Sequence, residues 1–238
     1  MRVKNPNKDD YKKLMWVMQY LCGSQDLILR VEPNEHLNWW VVSLYAVHPD
    51  MQSHSGIYMS LGKGAMYSGS CKQKLNTKSL TEAEVVGIDN ALPMVLWTRY
   101  FLLEQGYHVS DNVVYQDNQS AMLKERNGQS SSGRRTRHIN VRYFFVSHQI
   151  KQGEIMVEYC ATEVMVADFF IKPLQGSQFR KLCAVIMNLV EIRSSGQSST
   201  SQECVRIQGF TDDVQTSNAA SSDCGMFSRE VYKQPTIK

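Results

Sequence analysis

Three acidic residues stand at places where a fold of strands and helices could gather them. Glu84 lies in the first turn of a predicted helix, Asp117 at the carboxyl end of a predicted strand, and Asp168 on a later predicted helix. Strand ends and helix starts are common places for a shared site. Because clustered carboxylates repel one another, such a group usually needs hard divalent cations. The three acids therefore predict a magnesium site, where two ions ~4 Å apart would hydrolyse a phosphodiester.

Each acid also has a purely structural interpretation. Glu82 and Glu84 are both preceded, three positions earlier, by a hydroxyl residue that would complete a helix capping box. We assign capping to Glu82 and the metal role to Glu84. Asp117 precedes a predicted helix that it could simply cap. Asp168 lies among apolar residues, where a lone acid is costly unless it is paired or ligated, and this setting favours a functional role.

The elements that would position these acids predict a mixed α/β sheet. Apolar runs at residues 39–47, 57–61 and 65–71 indicate three consecutive antiparallel strands. A long helical pattern follows over residues 79–106, with a bend expected at Pro93. The predicted buried face of this helix comprises Val85, Ile88, Leu92, Val95 and Leu96. Alternating strands and helices complete the domain, and the helices should cover both faces of the sheet.

Composition divides the 238 residues into four parts. Residues 1–30 predict an N-terminal helix, amphipathic over residues 7–23, that needs a surface to lie on. Residues 31–175 form the α/β domain, and residues 176–190 a C-terminal helix. Residues 191–238 contain neither Leu nor Trp and are rich in Ser. This tail should be disordered, because it has too little apolar surface to bury.

Composition also excludes some classes of protein. No stretch approaches the roughly 20 apolar residues of a membrane helix, and the first residues lack the apolar core of a secretory signal, so neither insertion nor export is expected. The six cysteines are scattered singly, which predicts reduced thiols in an intracellular protein. A net charge of +3 is too small to indicate a nucleic-acid partner unless the charges are clustered.

One such cluster follows a Ser/Gly loop. It comprises Arg134, Arg135, Arg137, His138 and Arg142. These side chains could track a phosphate backbone without reading its sequence, or they could form an ordinary solvated surface. Four aromatic residues could in principle stack on bases, but we predict that they belong to the core. They are Trp39, Trp40, Trp97 and Tyr100.

Four short motifs surround the acids in a fixed order. Residues 79–84 read SLTEAE, residues 117–121 DNQSA, residues 135–143 RTRHINVRY and residues 167–174 ADFFIKPL. Together they resemble motifs of the ribonuclease H domain of copia-type retrotransposon Pol polyproteins. The resemblance extends over about residues 6–187, including the N-terminal helix, which is similar to the connection after the reverse transcriptase of these polyproteins.

The resemblance implies a fold, a reaction and partners. The fold would be ribonuclease H-like, and two Mg²⁺ ions would cut the RNA strand of an RNA–DNA hybrid. Glu84, Asp117 and Asp168 would be both metal ligands and catalytic residues, and the basic cluster would contact hybrid or double-stranded nucleic acid. No membrane partner is implied. The chain would derive from a Pol polyprotein and act in the cytoplasm, within a virus-like particle, or in the nucleus.

One departure from the family pattern bears directly on this activity. The first metal-binding Asp of the family corresponds here to Val42, which cannot hold magnesium. Smaller departures are Ala161 in place of Pro and Ile171 in place of Thr. We therefore expect a degenerate copy with impaired cleavage. The alternatives are a catalytically dead nucleic-acid-binding module or an inert remnant, and rescue of the site by another acid such as Asp50 stays open.

Overall fold

The computed structural model describes residues 5–127 and 140–189. Within them the chain forms five α-helices and five strands. The helices are α1 (Lys8–Gly23), α2 (Leu80–Glu104), α3 (Gln119–Asn127), α4 (Asn140–Lys151) and α5 (Gly176–Met187). The strands are β1 (Glu32–Leu44), β2 (His54–Lys63), β3 (Tyr67–Lys72), β4 (Asp111–Gln116) and β5 (Met156–Tyr159). The predicted tail at 191–238 and the basic residues Arg134, Arg135, Arg137 and His138 lie outside the described residues.

The five strands form one mixed sheet in the order β3-β2-β1-β4-β5. β1 pairs antiparallel with β2, and β2 antiparallel with β3. On its other side β1 pairs parallel with β4, and β4 pairs parallel with β5. The predicted mixed α/β class, with three antiparallel strands followed by alternating helices and strands, is therefore confirmed.

Side chains alternate along β1, so neighbouring residues enter different cores on the two faces of the sheet. Trp39 and Val41 pack in a core with Ile88, Leu92 and Val95 of the predicted inner face of α2. Val42 packs in a second core formed by residues 165–167 and Ile186 of α5. Both faces are thus covered, as predicted, and the end of β1 lies between the two layers.

One predicted element differs in the structure. The segment before Lys172 forms two short 3₁₀ helices, Thr162–Val164 and Val166–Phe170, rather than one α-helix. Pro173 soon follows, and proline disfavours continuation of a helix. α2 continues through Pro93 as one helix, and the bend expected there stays a prediction.

The prediction of buried aromatic residues is correct for Trp39 and wrong for two others. Trp39 is fully buried, and Trp40 is half-buried in a stack on Tyr115. Trp97 is 59% exposed and Tyr100 47% exposed. These two lie on the half of α2 beyond Pro93, away from the inner face that carries Leu92 and Val95, so the sheet does not cover them.

The predicted N-terminal helix is present, and its apolar side chains are uncovered. Asn7 caps α1 reciprocally with Asp10, which fixes the start of the helix. No residue of α1 is buried. Tyr20 meets the ring of Phe179 on α5 edge to face. No surface that covers the apolar face of α1, as the sequence predicted, is therefore found among the described residues.

None of the described helices is both long enough and apolar enough to span a membrane.

A close approach at Gly56 fixes the 3₁₀ segment against the sheet. A Cβ at position 56 would lie 2.7 Å from Ile171 Cγ2 and 2.8 Å from the carbonyl oxygen of Ala167. Gly56→Ala should therefore destabilise the fold by ~2 kcal/mol, because backbone must move to relieve the clash. Chemical denaturation measures this, with Gly23→Ala, which meets nothing within 4 Å, as the control. Equal losses in the two variants would contradict the packing described.

Candidate carboxylate pocket

A cavity of about 420 Å³ opens where β1 and β4 end and α2 and α3 begin. Two of the three predicted acids, Glu84 and Asp117, line it, together with Val42, Ser43 and Lys172. The cavity forms here because two neighbouring parallel strands end at the same edge of the sheet. The structure thus brings Glu84, Asp117 and Val42 together at the predicted edge.

Glu84 is almost wholly buried in the first turns of α2. Burial and the nearby charge of Asp117 raise the pKa of the Glu84 carboxyl well above its usual range, although the backbone amide of Ser43 favours the ionised form. Its Oε2 atom has no hydrogen-bond partner among the described residues. A buried carboxyl with an unpaired oxygen is a costly arrangement, and functional sites are common places for it.

Glu82 takes the capping role assigned to it from the sequence. The hydroxyl of Ser79 accepts a hydrogen bond from the Glu82 amide at 3.2 Å. The carboxylate of Glu82 accepts from the backbone amide of Lys78 at 2.7 Å. These contacts direct Glu82 to the start of α2, and the Glu82 side chain does not line the cavity described above.

Asp117 follows the last residue of β4 and stands between the other two acids. Its charge raises the pKa of Glu84 on one side and of Asp168 on the other. Thr162 donates a hydrogen bond to Asp117 Oδ2 at 3.3 Å. The cap of α3 is supplied by Asn118, whose side chain accepts from the Ala121 amide. Asp117 is therefore not needed as a cap and faces the cavity.

Asp168 lies on the second 3₁₀ segment and is buried beside the cavity rather than in its lining. Burial raises the pKa of Asp168, and the hydrogen bond and charge of Lys172 act in the opposite direction. Lys172 Nζ lies 2.6 Å from Asp168 Oδ2. The other oxygen, Oδ1, has no partner among the described residues. Asp168 is thus committed to an ion pair on one oxygen.

Val42 occupies the wall of the cavity where the resemblance implies an acid. Its side chain is 2% exposed and contributes both to the cavity lining and to the apolar core under the 3₁₀ segment. Asp50 does not line the cavity, and its carboxylate pairs with Lys72 of β3. No replacement for the missing acid is therefore present at this wall among the described residues.

The residues present do not fit the two-magnesium site that the resemblance implies. Val42 supplies no oxygen, and one oxygen of Asp168 is taken by Lys172. Among residues 5–127 and 140–189, no group of three or more His, Cys, Asp or Glu side chains is arranged to hold a metal ion. The carboxylates that remain, Glu84, Asp117 and Asp168, are one acid short of the set that the resemblance implies for a pair of ions.

The other predicted positions show mixed outcomes. Arg142, the member of the basic cluster whose side chain the structure describes, is half-buried and pairs with Asp89 and Asn90 of α2. Ala161 has φ −65°, the value that proline imposes, so this substitution leaves the backbone unchanged. Contact of Arg142 with nucleic acid therefore stays a prediction. The change to Ala161 gives no structural reason for loss of the site.

Sequence reasoning overlooked three polar residues around the acids. Lys172 was signalled by its position four residues after Asp168, a spacing at which opposite charges meet. Gln116 and Glu125, both fully buried, lie behind Glu84. The sequence pattern of α3 does not indicate that Glu125 is buried, because its burial depends on the packing of α3 against α4.

Comparisons with known proteins agree with the motifs. No family model matches the chain. A Pol polyprotein of the tobacco transposon TNT 1-94 (Nicotiana tabacum) is 26% identical over 79% of this chain. Those of the transposons RE2 and RE1 (Arabidopsis thaliana) are 29% and 26% identical over 74% and 76% of it. The chain spans 14%, 12% and 12% of the length of these three polyproteins, in that order.

The solved structures with some likeness to this chain include ribonucleases H. LC11-RNase H1, isolated from compost, is 12% identical, with a TM-score of 0.43 over 58% of this chain and 93% of that one. The same protein in complex with an RNA/DNA hybrid is 11% identical, with a TM-score of 0.39 over 54% of this chain and 88% of that one. RNase H1 from Halobacterium salinarum is 13% identical, with a TM-score of 0.36 over 56% and 90%.

The four motifs, the relatives and the order of the strands lead to one conclusion. The relatives are Pol polyproteins of plant transposons, as the motifs predicted. The three antiparallel strands followed by alternating helices and strands agree with the predicted fold class. The chain is similar to part of the retrovirus-related Pol polyproteins of plant transposons, and it forms a mixed α/β sheet with helices on both faces.

Proposed function

We propose that this chain binds RNA–DNA hybrid and that its hydrolysis of the RNA strand is impaired. The observation that carries the proposal is the position of Val42, which lines the cavity beside Glu84 and Asp117. The remaining acids keep the position of a hydrolytic site at the end of two parallel strands, while Val42 contributes an apolar side chain in place of a carboxylate. A surface for the substrate can persist in such a domain after its catalytic charge is lost.

Binding would depend on positive charge rather than on base recognition. Lys172 lies in the cavity itself. The predicted basic cluster precedes α4, and Arg142 of that cluster stands on the first turns of α4. Phosphate contacts of this kind give sequence-independent affinity that falls steeply with salt. The shape of an A-form-like duplex is the feature that such a surface would select.

Fluorescence anisotropy with a labelled RNA–DNA hybrid tests this proposal. Loss of Arg134, Arg135 and Arg137 in a triple alanine variant should weaken binding ~10-fold or more and lower the salt dependence of affinity. The matched control removes the same charge from α1, by alanine at Lys8, Lys12 and Lys13. Double-stranded DNA of the same sequence serves as a competitor.

The outcomes separate the proposal from its alternatives. We expect the wild type to bind hybrid and the α1 variant to bind it equally well. Equal losses in the two triple variants would mean that net charge alone, rather than the predicted cluster, governs binding. No binding of any duplex by the folded protein would overturn the proposal and leave an inert remnant.

A further inference from the structure

Two histidines stand in contact at the rim of the cavity, and the proposed function does not use them. His48 lies in the turn between β1 and β2, and His54 is the first residue of β2. The Nε2 atom of His48 lies 3.0 Å from Nδ1 of His54. His54 pairs across the sheet with Leu44, which lines the cavity. A change of charge on either imidazole would therefore be felt where a bound duplex would lie.

Ser70 of β3 fixes where the protons of this pair lie. Its hydroxyl donates a hydrogen bond to the carbonyl oxygen of Phe170 at 2.7 Å, and a carbonyl oxygen can only accept. Because a hydroxyl has a single proton, Ser70 Oγ must accept from His54 Nε2, which lies 2.8 Å away. Neutral His54 then has a bare Nδ1, which accepts from the Nε2–H of His48. The hydrogen bonds run in one direction, from His48 to Phe170.

This direction makes the two imidazoles unequal as proton acceptors. The Nδ1 atom of His48 lies outside the chain of hydrogen bonds, so a proton can add there while Nε2–H continues to donate. A proton on Nδ1 of His54 would instead face the donor of His48 and break the contact between the rings. Burial and the neighbouring His48 also lower the pKa of His54. The first proton that the pair takes up therefore goes to His48.

The charged groups of the neighbouring elements leave such a proton unmatched. Asp50 of the turn pairs with Lys72 of β3, and Asp168 of the 3₁₀ segment pairs with Lys172. Residues 37–47 and 55–62, on β1 and β2, contain no charged side chain. The other titratable side chains of these elements are phenols and a thiol, which are uncharged at pH 6 to 7; they belong to Tyr45, Tyr58, Tyr67 and Cys71. Protonated His48 would thus add a positive charge to the rim.

We propose that His48 is a proton-dependent phosphate contact, so that the chain binds RNA–DNA hybrid more tightly as the pH falls. This inference rests on the proposed function, because the phosphate is that of the hybrid. Imidazoles change charge between about pH 5 and 8, a range in which the phosphodiester backbone keeps its charge. His54 and Ser70 are positioning residues, because they act by fixing the tautomer of His48.

Fluorescence anisotropy of the full chain with labelled hybrid, at pH 8 and pH 6 and constant salt, tests the inference. The parent protein carries His138→Gln, because His138 of the predicted basic cluster would titrate in the same range. Its Kd should fall by about 3- to 10-fold at pH 6, the effect of one added ionic contact. Adding His48→Gln, which keeps a donor toward His54 but takes up no proton, should abolish this gain. Adding His36→Gln, toward the other end of β1, is the matched control and should keep it.

The ¹⁵N chemical shifts of the imidazoles supply a second readout that needs no nucleic acid. At pH 8 both His48 and His54 should carry their proton on Nε2, and on acidification His48 should gain its second proton first. Ser70→Ala removes the acceptor that orients His54, so the tautomers should mix and the gain in hybrid affinity at pH 6 should shrink. Ser68→Ala, two residues away on β3, is the control and should change neither result.

The outcomes distinguish failure of this inference from failure of the proposed function. Absence of hybrid binding at both pH values would overturn the proposed function and this inference with it. Binding that does not tighten at pH 6, or that tightens equally with and without His48→Gln, would overturn the inference alone. A neutral His48 with its proton on Nδ1 would do the same, because the chain of hydrogen bonds would then run in the other direction.

Discussion

Val42→Asp should raise cleavage of a labelled RNA–DNA hybrid by about 10²-fold over the wild type. The substitution returns a carboxylate to the cavity wall that faces Glu84 and Asp117. A charge that stabilises the transition state by several kcal/mol is worth roughly 10² to 10⁴ in rate. Asp is similar in size to Val, so the new side chain should fit the same space.

The same substitution should cost stability when no divalent cation is present. Val42 is buried in an apolar core with Met165 and Ala167, and an unpaired carboxylate there is unfavourable by several kcal/mol. Recovery of cleavage should therefore appear only with Mg²⁺ or Mn²⁺. Val42→Asn, which has the same shape without the charge, is the matched control and should stay as inactive as the wild type.

Failure of this variant would also be informative. If Val42→Asp is folded by circular dichroism but does not cleave hybrid, the site has been lost through more than one change. Lys172 and Ile171 would then be the residues to alter next, because both belong to the segment that carries Asp168. Equal activity in the Asp and Asn variants would contradict a role for the charge.

Glu125→Gln should stabilise the folded protein at neutral pH by on the order of 2 kcal/mol, seen as a rise in Tm of roughly 4–8 °C. Glu125 is fully buried on α3, and neither carboxyl oxygen has a hydrogen-bond partner among the described residues. Burial outweighs the neighbouring Gln116 amide and Arg126 charge, and raises the pKa of Glu125 to about 8. Glu84 and the Tyr143 phenol also face this group.

The direction of the pH dependence follows from this shift. Between the unfolded pKa near 4.5 and the folded pKa of about 8, the folded state holds a proton that the unfolded state has lost. Stability therefore falls as pH rises through this range, and the penalty is complete above pH 8. Glu125→Gln should remove this part of the slope, because its amide does not titrate.

Chemical denaturation at pH 5, 7 and 8.5 measures the effect. Glu158→Gln, at an exposed position on β5, is the control and should leave the slope unchanged. A Glu125→Gln variant that is less stable than the wild type at pH 7 and unchanged at pH 5 would contradict the prediction. It would show that Glu125 is ionised and held by a partner that the amide cannot replace.

The sequence was sufficient to predict the sheet and its edge, because these depend on local patterns. The apolar run of β1, the helical spacing of α2 and the motif at Asp117 each predict an element, and connection rules then limit how such elements assemble. The inner face of α2, from Val85 to Leu96, follows the predicted positions. Glu82 takes the capping role predicted for it, and Glu84 lines the cavity, where its metal role stays a prediction.

Contacts between distant segments were not predictable in the same way. Trp97 and Tyr100 are large aromatic residues of the kind that cores usually contain. They are exposed because they lie beyond Pro93, outside the face of α2 that the sheet covers. The ion pair of Lys172 depends on a 3₁₀ segment that the apolar pattern predicted as an α-helix. Burial of Glu125 depends on packing among α2, α3 and α4, which no single helix reveals.

The rate at which the wild-type chain cuts a labelled RNA–DNA hybrid, measured with Mg²⁺ and with Mn²⁺ beside an active ribonuclease H, tests the central claim most directly. The account predicts cleavage at least ~10²-fold slower than that enzyme, because Val42 leaves the pocket without a central acid. Cleavage by the wild type at a comparable rate, abolished by Asp117→Asn, would contradict it and show that the site works without a carboxylate at position 42.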